Sequence, residues 1–496
     1  MIPFKQIPAN IRVPLFYAEV DNSQANTAQT TQRALILAQI TAAGSAAPGV
    51  PAISQGSGDA ISAGGVGSML ALMLTAYRAA DAFGEVWYLP LSDATGSTAA
   101  TGTLDITAAP TAAGMFYFYV AGVRIAQPVQ PTQTVSDIAA ALVATIGQTQ
   151  GLPVTATASG GEVTLTAINA GPGGNEIDLR VNYLGTPGGQ VTPQGMTYSV
   201  TPMAGGAVAP DLAAALDGLG DMAFDFIVCP YTDPTSLDAI KAFLDDINGR
   251  WSWQQMLYGH AFAAARGTLG ALVALGSARN DQHASIMGFH DSPTPAWIWA
   301  ASLAGASAVS LRADPATPLQ TLPLPGVLAP PVQSRFPLSD RNSLLYDGIA
   351  TFTVGDDGTV AIENLVTTYQ ENAYGQPDDS YLEVETLFTL AAVLRHLAIV
   401  VTSKYGRVKL ADDGTRFSAG ANVVTPNVIR ADLIAAYQQD EAGGLVQDSD
   451  VFAKALVVER NATNPNRVDV LWPGVLIDQL RIFALLAQFR LTALTA

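Results

Sequence analysis

The chain carries four histidines, His260, His283, His290 and His396. His290 is followed by Asp291 where the strand-like run ASIMGF ends, and ligands in α/β folds bind at the C-terminal ends of strands. General acid–base chemistry would therefore centre on His290 with Asp291. The competing reading is a loop histidine bonded to backbone. His260 opens a second strand-like run, HAFAA, and His396 lies in AAVLRHLAIV at the helical spacing of a packed or surface histidine. The pairs Asp356-Asp357 and Asp412-Asp413 each precede glycine, which marks turns rather than calcium or acid–base sites. The single cysteine, Cys229 in FDFIVCP, excludes an internal disulfide and a multi-cysteine metal site and reads as a small core residue. Neither a GxxxxGKS/T phosphate loop nor HExxH nor GxSxG occurs, and QGSGDA (residues 55–60) lacks the spacing of a nucleophile elbow. Gly64, Gly65 and Gly67 precede a helix but do not follow a strand in a GxGxxG register. The expectation is no catalytic residue, no cofactor and no metal.

The elements that would position such groups alternate. RALILAQI (strand), GVGSMLALMLTAYRAADAFG (helix) and EVWYLPL (strand) open an α/β unit. It resumes at FDFIVCP, then TDPTSLDAIKAFLDDING with Pro234 in its first turn, HAFAA, GTLGALVALGSA, ASIMGF and PAWIWAASLAGASA. Unbroken apolar strands of this kind lie buried in parallel sheets. Between them, residues 101–206 alternate apolar and polar around Gly and Pro, with a hairpin signal at Ser159-Gly160-Gly161 and one helix, TVSDIAAALVATIG. The last third reads as α+β: a hairpin turning at Asp356-Asp357-Gly358, helices over residues 381–405 and 425–440, and the strand VFAKALVVERN. The predicted fold is a three-layer α/β domain (26–100 and 207–335), an inserted mostly-β domain (101–206) and a C-terminal α+β domain (336–470). Terminal arms occupy 1–25 and 471–496.

Hydrophobic residues make up 49% of the 496 and charged ones 13%, with net charge −18. No Lys/Arg run exists, which disfavours a nucleic-acid partner. The longest apolar run, AWIWAASLAGASAVSL, is short and broken by serines, so membrane insertion is not expected. An apolar, charge-poor chain needs extensive buried interfaces, as an obligate oligomer has; an alanine-rich composition from a GC-rich genome is the other source. Both termini are apolar with nothing adjacent to cover them. Residues 7–20 carry Ile11, Val13, Leu15, Phe16, Tyr17 and Val20, while Pro8 and Pro14 forbid a continuous helix or a central strand. The last segment carries Leu480, Ile482, Phe483 and Phe489.

The opening FKQIPANIRVPLFYAEVDNSQA resembles that of contractile-tail sheath proteins of Mu-like bacteriophages. GFHDSPTPAWIWAASLAG, FPLSDRNSLLYDGIATFTV, VIRADLIAAYQQDEAGGLVQDSDVFAKALVVERN and NRVDVLWPGVLIDQLRIFALLAQF are similar to the same family, in its order, over nearly the whole length. The resemblance implies a structural virion protein, assembled in the host cytoplasm and polymerising with itself as stacked six-fold rings around a tail tube protein. Baseplate and tail terminator are further partners, and contraction driving the tube through a bacterial envelope is the action, without nucleotide. It implies a subtilisin-like α/β fold, although the catalytic motifs of that fold are missing and only RGT (266–268) remains. It implies arms that add strands to neighbouring subunits, an outward-facing inserted domain and a C-terminal domain lining the lumen. Tube contact is expected from the 425–440 helix through Arg430, Asp432, Asp440 and Glu441. The alternative is an α/β hydrolase-like enzyme with a β accessory domain, its site at His290 and Asp291. A monomeric enzyme has no use for two apolar arms.

Overall fold

The computed structural model describes residues 32–418, 420–489 and 491. ALILAQ is apolar because both faces of its strand are covered: Ala34–Gln39 is buried throughout and pairs in parallel with Val86–Leu91 on one side and Phe226–Val228 on the other. His260–Arg266, Ala284–Phe289 and Ile349–Val354 continue the parallel set outward. Antiparallel strands, Ala52–Ile53 and Val360–Asn364, close the two edges of this eight-stranded sheet.

Polar caps start the crossover helices. Ser68 Oγ accepts from the Ala71 N–H in Met69–Ala80, and Asp233 Oδ1 accepts from the Ser236 N–H in Pro234–Leu244, which has Pro234 in its first turn. The strand order runs in opposite directions from Ala34–Gln39 and Phe226–Val228, so crossovers of the usual right hand put Met69–Ala80 on the face opposite Pro234–Leu244 and Leu269–Ser277. Ala296–Ala313 packs along Met69–Ala80, with Trp299 stacked on Phe289 at 4.5 Å. The molecule is thus mixed α/β around one dominant core.

Residues 101–204 form a second core. A four-stranded antiparallel sheet (Thr101–Ala108, Val154–Ser159, Glu162–Ala167, Thr197–Ala204) and a three-stranded one (Gly114–Val120, Val123–Val129, Leu179–Val181) surround the Val135–Gln148 helix. Thr134 and Asp137 cap that helix reciprocally. The hairpin turns at Gly160, whose φ of +61° suits a residue without a side chain.

A third, small core lies between the Val384–Tyr405 and Pro426–Ala442 helices, where Tyr437 stacks on Phe452 at 3.8 Å beside Trp472. The long helix bridges two cores: Val384 and Phe388 belong to the first and Val393 to the third.

Three expectations are corrected. The 349–364 hairpin, grouped from sequence with 336–470, belongs to the central sheet because Ile286 and Met287 pair with Ile349 and Ala350. VFAKA is not strand: Ser449–Ala455 is a short helix that buries Phe452, and the strand begins at Val457. Residues after Gln55, left without an element, form the Ser57–Gly64 helix.

Candidate functional site

The chain order reverses between Ala34–Gln39 and Phe226–Val228, whose crossovers run in opposite directions. In open α/β sheets the ligand crevice lies at the C-terminal ends of two such strands. Here that position is filled. Gln39 is buried; its Oε1 accepts from Tyr231 Oη (2.8 Å), and its Nε2 donates to Asp93 Oδ1 (2.6 Å) and to the Ala170 carbonyl (2.7 Å). Asn169 follows the inserted strand Glu162–Ala167. Its Oδ1 accepts from the Met69 N–H and its Nδ2 donates to the Ile40 carbonyl, both at 2.9 Å. A helix N-terminus in this place would bind phosphate in a nucleotide-binding fold; an amide side chain occupies it instead. Cys229 lies beneath, and burial pushes its thiol up to about 12.

The structure does not assemble His290 and Asp291 into a pair. Among the described residues no hydrogen bond joins them. Asp291 Oδ1 accepts from Arg180 Nη2 (3.0 Å) and Oδ2 from Ser334 Oγ (2.8 Å), while His290 leans on Phe336 at 6.3 Å. Arg180 also grips Asp178, so Asp291 is a joint holding the inserted segment to the sheet. Arg266 makes a second joint to Glu176 at 3.0 Å. A nucleophile–base geometry does occur elsewhere, His260 Nε2 to Ser285 Oγ at 2.9 Å. Both residues are fully buried at the N-terminal ends of their strands, and burial holds the imidazole well below its usual range, with His283 adding to the effect. No substrate reaches this dyad. Its only sequence signal is a histidine and a serine near the starts of adjacent strands.

Among the described residues no group of three His, Cys, Asp or Glu could hold a metal ion. A cleft of about 230 Å³ lies at the C-terminal ends of Ala284–Phe289 and Ile349–Val354, between Arg335, Phe336 and Arg341. It is smaller than the roughly 300–1,000 Å³ of small-molecule sites. Val384–Tyr405 is long and apolar enough to cross a membrane. It is nonetheless wedged into the molecule by ion pairs from Arg395 to Asp225 (2.5 Å) and from His396 to Asp440 (2.6 Å).

The four charges chosen on the Pro426–Ala442 helix do not form a free polar face. Asp440 is buried against His396. Arg430 donates to the Ala453 and Leu456 carbonyls, Asp432 accepts from Lys404 and Tyr405, and Glu441 accepts from the Ser449 N–H. The exposed positions are Asn427, Val428, Ala431, Ala435, Gln438, Gln439 and Ala442, all uncharged.

What the described surface does offer is extended apolar chain. Residues 477–489 form no helix or strand, and Leu480, Ile482, Phe483 and Phe489 are 71–84% exposed. The segment is pinned at its root by Arg481, which pairs with Glu385 (2.7 Å) and Glu383 (3.1 Å). Close to it in sequence, Val457–Arg460 and Val468–Leu471 form a two-stranded sheet, each strand paired on one side only among the described residues, with Val457 and Leu471 exposed. Ile11, Val13, Leu15, Phe16, Tyr17 and Val20 lie outside the described residues. The chain becomes described at Gln32, whose carbonyl accepts from Arg312 Nε at 3.1 Å.

Residues 205–368 match the phage tail sheath protein central domain, and residues 376–490 the phage tail sheath C-terminal domain. The chain is 39% identical over 490 residues to the Mu-like prophage FluMu tail sheath protein of Haemophilus influenzae, covering 98% of this chain and 99% of that one. Two solved sheath tail proteins are similar at low identity. That of Desulfitobacterium hafniense is 13% identical with a TM-score of 0.49, covering 95% of this chain and 97% of its own. That of Listeria innocua is 12% identical with a TM-score of 0.49, covering 92% and 94%.

Proposed function

The chain belongs to the phage tail sheath proteins, in their Mu-like branch, and from that membership we propose that it polymerises as stacked six-fold rings around a tail tube and contracts to drive the tube through the host envelope. It is a structural component of the virion, not an enzyme. Assembly takes place in the host cytoplasm, with the tube protein, the baseplate and the tail terminator as partners.

The observation that carries this reading is the exposed row Leu480, Ile482, Phe483 and Phe489 on extended chain. Extended backbone needs hydrogen-bond partners and apolar side chains need a cover. Both are met if the arm adds to the Val457–Arg460/Val468–Leu471 hairpin of a neighbour, joined there by the N-terminal arm. About five new backbone hydrogen bonds at roughly 1 kcal/mol each stabilise one arm by about 5 kcal/mol. Burying about 400 Å² of apolar surface adds on the order of 10 kcal/mol before ordering costs.

The three cores suggest the division of labour. The central sheet and its helices, in a subtilisin-like layering, form the body, and the second core faces outward. The third core, from Val393 onward, lines the lumen. Tube contact belongs to the Pro426–Ala442 helix through its uncharged exposed positions, since its charges are tied up within the molecule. Negative-stain electron microscopy of the purified protein at neutral pH tests the reading: hollow tubes or stacked rings are expected. Dispersed monomer at high concentration, persisting when tube protein is added, overturns it.

A further inference from the structure

Ile247, Trp253 and Met256 project from the loop between the Pro234–Leu244 helix and the His260–Arg266 strand, 73%, 78% and 57% exposed. The loop is firmly held. Arg250 is buried and donates to the Gly220 and Met222 carbonyls, and Trp251 Nε1 donates to the Gly259 carbonyl at 2.8 Å. A bare indole on a braced loop is a preorganised anchor, the kind of residue that dominates interfaces. It precedes the first residue of its strand and so stands at the N-terminal end of the sheet.

The cleft of about 230 Å³ stands at the opposite end, lined by Gly288, Arg335, Phe336, Arg341, Thr353 and Val354. Arg341 is matched by Glu363 at 2.7 Å. Arg335 donates to the Pro330 carbonyl and has no carboxylate partner among the described residues, which leaves the cleft one unmatched positive charge. Asp245 and Asp246 open the loop that carries the anchor. An aromatic ring suits a guanidinium and a phenyl ring as neighbours, and an acidic collar suits a basic cleft in a chain whose copies, at −18 each, otherwise repel.

We propose that the Trp253 loop of one subunit seats in the Arg335–Phe336 cleft of a second copy of this chain. The inference rests on the polymerising role proposed above and adds a contact distinct from the arms. Knob and cleft lie at opposite ends of one sheet, so they do not meet within a molecule. The contact is head-to-tail and repeats from subunit to subunit without being self-complementary.

A double variant, Trp253→Cys with Thr353→Cys, tests this in the full-length chain, because Cys229 is buried and does not compete. Both positions are exposed, and unchanged melting curves verify the fold. Under mild oxidation of assembled protein, a disulfide-linked ladder of dimers, trimers and higher multimers is expected from the double variant and from neither single one. Trp253→Ala is expected to lose tubes at a concentration where the unaltered protein forms them. Tubes without a ladder overturn the contact while leaving polymerisation standing. Linked dimers and nothing larger overturn its head-to-tail character. An unaltered protein that never assembles removes the premise and the proposal together.

Discussion

Asn169 and Met69 lie a hundred positions apart in the chain, yet the carboxamide oxygen of the first accepts the N–H of the second at 2.9 Å. With Ser68 taking the Ala71 N–H, two of the first donors of the helix that follows the first strand are met by side chains. The inserted segment therefore stands in the crevice that an α/β enzyme would keep open. Deprived of a site, the fold serves as a body to which other parts are fastened.

Asn169→Ala should destabilise the protein by about 1–2 kcal/mol, the usual cost of losing a helix-terminal acceptor together with a buried donor–acceptor pair. Urea unfolding reads this directly. A midpoint equal to that of the unaltered protein would show that water replaces the carboxamide without cost.

Arg481 pins the C-terminal arm through Glu385, which is fully buried, and Glu383. Burial already raises the carboxyl of Glu383 and Arg481 opposes it. Arg481→Met should cost on the order of 3 kcal/mol at neutral pH, since it strands buried negative charge. A raised carboxyl binds its proton more tightly in the folded state, so stability should recover as pH falls through the raised value toward 4.5. Melting temperatures at pH 7 and pH 5 decide; equal losses at both would remove the electrostatic account.

His396 is held above its usual range chiefly by its hydrogen bond to Asp440, and the charge of that carboxylate adds to the effect. The folded state therefore binds the proton more tightly than the unfolded one. The stabilisation is fully present below pH 6.5 and is lost as pH rises through the folded value. Trp472, in the third core, reports this region by fluorescence. His396→Gln should flatten the pH dependence of its melting between pH 6 and 9; an unchanged slope would locate the titration elsewhere.

Removing residues 1–20 should leave a folded monomer that forms no tubes. Ile482→Lys with Phe483→Lys should do the same from the other end, as should Leu471→Lys on the hairpin, because all three side chains are exposed and contribute little to the monomer. Sedimentation and electron microscopy read the outcome. Long tubes from any of these variants would separate that segment from polymerisation.

Ala431→Arg with Ala435→Arg should leave tubes of sheath alone intact and impair co-assembly with tube protein. Reversing Arg430 and Asp432 instead should lower stability, since they bond to Ala453, Leu456, Lys404 and Tyr405. Co-sedimentation with tube protein and thermal melting separate the two effects.

Much of the body is legible in the chain because its signals are local. An unbroken apolar run such as Ala34–Gln39 announces a strand covered on both faces, and Thr134 three positions before Asp137 announces a helix start. Longer-range pairing is not written locally. Nothing in IATFTV says that it will lie beside Ala284–Phe289. The charges of the Pro426–Ala442 helix look solvated until Lys404, Tyr405 and His396 arrive from another helix. VFAKA runs straight into the strand-like LVVER, but burying Phe452 against Tyr437 wins it for a helix. The arm is the opposite case. It is apolar with no neighbour in sequence to cover it, and its Leu480, Ile482, Phe483 and Phe489 side chains lie exposed on chain without helix or strand.

The lone cysteine has a material consequence. Cys229 is enclosed in the sheet and its thiol is pushed up to about 12, so almost none of it is thiolate at neutral pH. Outside a cell, oxygen and peroxides find no thiolate on this protein through which to weld one copy to the next. A particle built from it can wait in an oxidising medium without ageing by that route.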